Sequence, residues 1–284
     1  MPIKHILFPV DFSERCEDAV PFVEAMARSC DAKVTLLAAA EIHFAGAAEG
    51  SILIDPQEIL RETAKRLDEW QPKQFQGIPA NRIAQLGDPT ALIADFVKAN
   101  QVDLIMMPTH GYGPFRQLLL GSVTAKVLHD VGCPVWTTAH THEDQDPQHA
   151  STRKIICAID SGAESIALLR WAGNLAKKLN ATLRVVHAIP GMEAWPERQL
   201  DVEFEAQMRE SARQRILAME KSADIDVQVC VGSGSVANVV AEEARQHRAN
   251  LVIIGRGAAS QTFGRLRTHA FGIIRHSPCP VLSV

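Results

Sequence analysis

Gly111 and the pair Gly121-Ser122, with nine residues between them, are the residues of this chain best suited to hold an anion. They lie in the segment 108–122 (PTHGYGPFRQLLLGS), which follows an apolar run at 102–107 and precedes a helix-forming run at 123–128. Glycines at a strand end let backbone N–H groups approach an anion closely. A helix that starts at Gly121-Ser122 adds orphan N–H donors, a hydroxyl and the positive end of its dipole. The chemistry suggested is phosphate binding. The segment has no lysine in the place required by G-x-x-x-x-G-K-[ST], which argues against a P-loop NTPase. Asp11 closes the first apolar run of the chain. A carboxylate only accepts hydrogen bonds, so Asp11 suits ribose hydroxyls or an exocyclic amine and not a phosphate.

The elements that must position these groups occur twice. Lys4 to Asp11 (KHILFPVD) matches Arg153 to Asp160 (RKIICAID), and the match runs on through Ala27 with Ala176, Asp31 with Asn180, and Ala32 with Ala181. Gly87-Asp88-Pro89 is paired with Gly232-Ser233-Gly234, and Val102 to Met107 with Ala249 to Ile254. Asp103 and Asn250 each stand just before a buried strand, and both halves close on Cys-Pro-Val, at Cys133 and at Cys279. This is an internal duplication. Strands are expected at 4–10, 33–39, 80–86, 102–107 and 134–138, and again at 153–159, 182–188, 225–231, 250–254 and 280–284. Helices are expected at 16–29, 56–71, 89–100 and 122–131, with counterparts at 165–179, 200–222, 236–247 and 268–276. Short runs, apolar on both faces and alternating with helices, predict parallel strands joined by right-handed crossovers. The fold class expected is α/β, with two tandem, doubly wound, five-stranded parallel-sheet domains of Rossmann-like type. The domains are placed at 1–140 and 153–284, with a polar linker at 141–152. His140, His142 and His149 fall in or beside that linker, where a solvated segment is expected rather than a metal site.

Composition sets the outer limits. The chain has 284 residues, 46% apolar and 22% charged, with a net charge of −4. That is a globular profile with no basic excess to recruit nucleic acid. No apolar run reaches the roughly 20 residues of a membrane span. The chain starts directly on a strand pattern with no leader, so a cytoplasmic location is expected. The six cysteines form no C-x-x-C pair and are expected to be buried thiols. In an open parallel sheet the crevice lies beyond the carboxyl ends of the strands where strand order reverses. Asp11 and the segment after Met107 flank that point. Together they describe a nucleotide whose base and sugar lie near the first two strands and whose phosphates lie on Gly111, Gly121 and Ser122.

The residues that carry this reading resemble the universal stress proteins, here as two UspA-type domains in one chain. They are Phe8-Pro9-Val10-Asp11-Phe12-Ser13, Asp103 to Met107, Thr109-His110-Gly111, Leu118 to Val123 and Cys133-Pro134-Val135. The resemblance covers nearly the whole chain apart from the linker. The family motif is G-x-x-G, nine residues, then G-[S/T], and here Pro108 replaces the first glycine. The resemblance implies an adenine-nucleotide α-hydrolase-like fold and ATP as ligand, with or without Mg2+. It implies that Val10 and Asp11 meet the ribose and base edge with Pro9 shaping the wall, that Ala39 offers backbone to adenine, and that Met107 lines the pocket. It places His110, Gly111, Gly121, Ser122, Val123 and Thr124 around the phosphates. It further implies that the last strands of the two halves, 134–138 and 280–284, pair as an intramolecular pseudo-dimer. A homodimer of whole chains is a further expectation.

The second half departs from the motif. Its counterpart site is Asp160, Ala188, Gly255, Gly257, Arg267 and Thr268, with Ala258 in place of the second glycine and Arg267 in the expected phosphate path. Loss of nucleotide binding is expected there, against the alternative that arginine serves a different anion. No paired carboxylates, metal-ligand cluster or nucleophile-base pair is evident, so binding is expected rather than catalysis. The alternatives are an interaction protein with both pockets empty and a slow ATP-hydrolysing enzyme.

Overall fold

Each half of the chain is pinned by one side chain that grips two successive backbone N–H groups. In the first half, Asp103 Oδ2 accepts from Lys4 N at 2.8 Å and His5 N at 3.0 Å. In the second, Asn250 Oδ1 accepts from Arg153 N and Lys154 N, both at 3.1 Å. Each contact ties the start of the half's first strand to the residue that leads into its fourth. The register that follows is Ile6 opposite Leu104 and Ile155 opposite Leu251. The computed structural model describes residues 2–41, 55–110, 120–138, 151–191, 202–256 and 268–284.

The first half runs β1 (His5–Val10), α1 (Glu14–Cys30), β2 (Lys33–Ala40), α2 (Pro56–Glu69), β3 (Ala80–Leu86), α3 (Pro89–Asn100), β4 (Leu104–Met107), α4 (Ser122–Asp130) and β5 (Val135–Thr137). Its strands lie in the order β3-β2-β1-β4-β5. The chain steps from β1 outward to β3, then crosses back to β4, so strand order reverses between β1 and β4. Helix starts are set by side-chain caps: Ser13 Oγ accepts from Cys16 N, Asp55 from Gln57 N and Asp88 from Ala91 N. Pro56 and Pro89 occupy first helical positions, where no N–H is needed. Ile6, Leu7, Phe8, Leu36, Leu104, Ile105 and Met106 are wholly buried at the centre of this half.

The second half runs β6 (Lys154–Ala158), α5 (Ser165–Leu179), β7 (Thr182–Ile189), α6 (Val202–Ala223), β8 (Gln228–Ser233), α7 (Val236–Gln246), β9 (Leu251–Ile254), α8 (Thr268–His276) and β10 (Val281–Ser283). Its order is β10-β9-β6-β7-β8. The repeat extends to the helix ends. Asp31 and Asn180 both take the left-handed conformation, at φ 54° and 50°. The residues that follow them, Ala32 and Ala181, both donate back to Ala27 O and Ala176 O at 2.9 Å.

One expected pairing of the repeats is corrected. Gly87 and Gly234, not Gly87 and Gly232, are equivalent. Both have positive φ, at +146° and +128°, and each is followed by a helix N-cap, Asp88 or Ser235. The cap and the left-handed glycine set the register, so β8 ends two residues later than the sequence pairing implied. Gly232 answers a different demand, because a Cβ there would meet Val239 Cγ1 at 2.5 Å.

No helix among the described residues is long and apolar enough to cross a membrane. The six cysteines are free thiols, and five of them are buried. Burial pushes the Cys157 thiol up to about 12.

Two buried ionisable groups face opposite ways in pH. His5 Nδ1 donates to Asn100 O and, in the neutral ring, Nε2 accepts from Thr35 Oγ1, and burial holds the imidazole below the usual value of 6.5. Its contribution to stability is complete above about pH 6.5 and is lost as pH falls, because the unfolded chain then takes up a proton that the fold resists. Glu220, in the last turn of α6, is 3% exposed, with Oε1 unpaired. Burial first, and Asp226 second, push its carboxyl up to about 7. Its stabilising form is the protonated one, so stability falls as pH rises from about 4.5 through 7. Glu220→Gln is expected to stabilise the protein by roughly 1–3 kcal/mol at pH 8 and by little at pH 4.5, measured by urea unfolding at the two pH values.

Candidate functional site

Asp11 leads straight from β1 into a strained turn. Its Oδ1 accepts from Ser13 N at 3.0 Å and from Ser13 Oγ at 2.6 Å, and Ser13 in turn caps α1. Phe12, between them, sits at φ 61°, in the left-handed region that side chains other than glycine seldom adopt. The turn uses one carboxylate oxygen of Asp11. The other has no hydrogen-bond partner among the described residues, and the residue is exposed.

Across the strand-order reversal, the start of α4 is drawn against the end of β4. Gly121 N donates to Thr109 O at 2.8 Å. A Cβ on Gly121 would stand 3.2 Å from Thr109 O and 3.4 Å from His110 Cα, so any larger residue would have to push the strand-end backbone aside by a few tenths of an ångström. Gly121 is also the N-cap of α4 and supplies no side-chain cap, which leaves the first N–H groups of the helix to be met from outside. His110 is buried beside this junction.

These residues border one cavity of about 910 Å³ at the carboxyl ends of the strands. Pro9, Val10, Asp11, Ala39, Met107, His110, Gly121, Ser122 and Val123 all line it. Gly111 lies outside the described residues. Thr124 does not line the cavity: it is buried, and its hydroxyl donates to Pro108 O at 3.0 Å. Its hydroxyl anchors the backbone that follows β4 and is not offered to the cavity.

Sequence reasoning missed an entire wall. Ile59, Glu62, Thr63, Lys65, Arg66 and Glu69 of α2 face the same cavity. The Arg66 guanidinium lies 4.2 Å above the centre of the Phe12 ring, and Phe12 meets Trp70 edge-on at 6.4 Å. The carboxyl end of α2 is held by Arg82 of β3, which donates to Leu67 O, to Trp70 O at 2.8 Å and to Gln71 O at 3.4 Å. The signal was present: Ile59, Glu62, Thr63, Arg66 and Glu69 recur at three- and four-residue spacing, one face of a helix. Nothing in that spacing says which face meets a crevice. Asp11, Glu41, Glu62 and Glu69 stand at this end of the cavity with Lys65 and Arg66, so its charge is mixed with carboxylates in excess, while the α4 end offers N–H groups and a hydroxyl.

The second half has its own cavity, of about 470 Å³, at the equivalent strand ends. Asp160, Ala188 and Gly255 line it. Asp160 Oδ1 accepts from Gly162 N at 2.8 Å and Ser165 Oγ at 2.9 Å. Gly257 and Arg267 lie outside the described residues. Thr268 begins α8, and its side chain is likewise outside them. Among the described residues, no group of three or more His, Cys, Asp or Glu side chains is placed to hold a metal ion.

The universal stress protein family model matches this chain twice, over residues 2–138 and 151–284. The chain belongs to the universal stress protein family. It carries two of the family's domains in tandem, as the motifs implied. It is 30% identical over 145 residues to universal stress protein MJ0531 of Methanocaldococcus jannaschii, a match that covers 46% of this chain and 79% of that one. It is 26% identical over 185 residues to universal stress protein Rv2005c of Mycobacterium tuberculosis, covering 63% and 60%. Among solved structures, a universal stress protein from Archaeoglobus fulgidus superposes with a TM-score of 0.69 at 21% identity, covering 100% of this chain and 98% of that one. A putative universal stress protein from Pseudomonas aeruginosa gives 0.66 at 17%, covering 99% and 93%. At these identities the structures bear on the fold alone, and they bear out the expected α/β class.

Thr124→Val keeps the shape of the side chain and removes the donor to Pro108 O. It is expected to destabilise the protein by about 1–3 kcal/mol in urea unfolding, because a buried carbonyl is left unpaired. Thr124→Ser is expected to recover most of that loss.

Proposed function

We propose that the first domain binds an adenine nucleotide, ATP foremost, and that the protein acts as a non-enzymatic, nucleotide-responsive regulator in the stress response. The observation that carries this reading is the junction of Gly121 with Thr109 and His110. There the backbone of Gly121 lies so close to Thr109 O and His110 Cα that a Cβ would be crowded, directly at the start of α4, which has no side-chain cap. Phosphate groups suit that end, where N–H donors and the helix dipole converge. The opposite end suits ribose and base. The unpaired oxygen of Asp11 accepts hydroxyl hydrogens, and Pro9, Val10 and Met107 supply apolar wall. Carboxylates outnumber Lys65 and Arg66 at that end four to two, and this excess favours the stated orientation of the ligand over its reverse. The chemistry supplied by the residues is recognition. Mg2+, if carried in, arrives with the phosphates rather than on a ligand set of the protein.

Calorimetric titration of the purified chain with ATP, ADP and AMP tests the proposal. One nucleotide is expected to bind per chain, and Gly121→Arg is expected to abolish binding by filling the phosphate end. Asp11→Asn keeps an acceptor for Ser13 and changes what the free position offers, so it should weaken affinity about tenfold while leaving the unfolding midpoint near that of the parent. Failure of all three nucleotides to bind would overturn the reading in favour of an interaction protein with empty pockets. Steady release of phosphate above the Gly121→Arg background would favour an enzyme.

A further inference from the structure

The cavity of the second domain has the wrong walls for a nucleotide and the right ones for something smaller and drier. Its sides are Leu168, Trp171, Val186, Val240, Ile254 and Ile273. Leu168, Val186, Val240, Ile254 and Ile273 are buried core positions, and Trp171 is half-buried. At about 470 Å³ it is roughly half the size of the first cavity yet within the ordinary range for a small-molecule site, about 300–1,000 Å³. The charges at its edge are of both signs. Arg256 and His269 line it together with Asp160 and Glu164, and the carboxylate of Asp160 already serves Gly162 and Ser165. Among the described residues, such an edge gives no net attraction to a phosphate chain.

One polar group is oriented for use. His187 Nδ1 stands 2.9 Å from Ile159 O. A carbonyl only accepts, so Nδ1 carries the hydrogen, and in the neutral ring Nε2 is left as an acceptor. Nε2 has no partner among the described residues. His187 lines this cavity and also a neighbouring, more polar one of about 520 Å³, which shares Ala188 and is bordered by Ser161, Phe204, Gln207, Met208 and Arg215. The first domain has the small, buried Ala38 at the equivalent strand position, so the acceptor belongs to the second domain alone.

We propose that the second domain binds a compact, uncharged aromatic molecule bearing a single hydroxyl or ring N–H donor, of the phenol or indole class. The ring system lies among Leu168, Trp171, Val186, Val240 and Ile254, and its donor meets His187 Nε2. The walls reward apolar area, the mixed edge disfavours net charge, and the imidazole selects for a donor. An analogue without the donor forgoes that hydrogen bond and leaves Nε2 buried against the ligand without a partner. The site is separate from the nucleotide cavity, and the proposal does not depend on ATP binding to the first domain.

The full chain is titrated with 2-naphthol, followed by its fluorescence at neutral pH. Saturable binding of one molecule per chain is expected, with no displacement by ATP. His187→Leu should weaken it about tenfold, as should replacement of the probe by naphthalene. Ala188→Phe, at a half-exposed strand position that borders both cavities, should abolish it. Circular dichroism and the nucleotide titration report whether each variant is folded. Absence of saturable binding, or binding that neither variant alters, overturns the proposal. Equal affinity for naphthalene overturns the role of His187, and tighter binding of 2-naphthalenesulfonate overturns the requirement for an uncharged ligand.

Discussion

The contact between Gly121 and the backbone of Thr109 and His110 is the constraint on which the first site depends. It brings the start of a helix to the end of a central strand, at a distance where a Cβ would be crowded by the strand-end backbone. With that junction in place, donors from α4 converge on the crevice. Thr124 secures the same corner from within by holding the carbonyl of Pro108. Pro108, which departs from the family's glycine, is thereby given a fixed backbone acceptor contact rather than left to the loop.

The crevice itself is a property of the parallel sheet. Strand order reverses between β1 and β4, so the chains leaving those strands diverge and open a space at their carboxyl ends. Asp103 and Asn250 tie the same two strands together at their opposite ends, where they start, by one device in both halves, two N–H groups held on one oxygen. A carboxylate and an amide do this equally well, because only an acceptor is required. The conserved task and the changed residue explain why the two halves keep one scaffold at low identity.

On that common scaffold the rims have diverged. The first domain presents carboxylates, an aromatic ring capped by Arg66, and an open helix start. The second replaces Ala38 by His187 and lines its crevice with Trp171 and aliphatic side chains. Both begin with an aspartate at the end of the first strand, and both engage it in the following turn. The aspartate alone therefore does not define a ligand site. Neighbours decide whether its second oxygen has anything to do.

The amino-acid sequence by itself determined the order and kind of the elements. Short apolar runs, polar helix faces and capping residues such as Ser13, Asp88 and Ser235 act over a few residues, and local periodicity reports them directly. It also determined the residues flanking the strand-order reversal, since Asp11, Met107, Gly121 and Ser122 are marked by type and spacing. Tertiary structure decided what those residues meet. It turned Thr124 inward to Pro108, swung α2 over the first crevice and paired Gly87 with Gly234 through their left-handed backbones. It also placed His187 between an apolar cavity and a more polar one. These outcomes depend on which helix face packs where and which hydrogen bond a side chain finds at long sequence separation. One-dimensional spacing does not record such contacts, because their energies come from burial and geometry shared among distant elements.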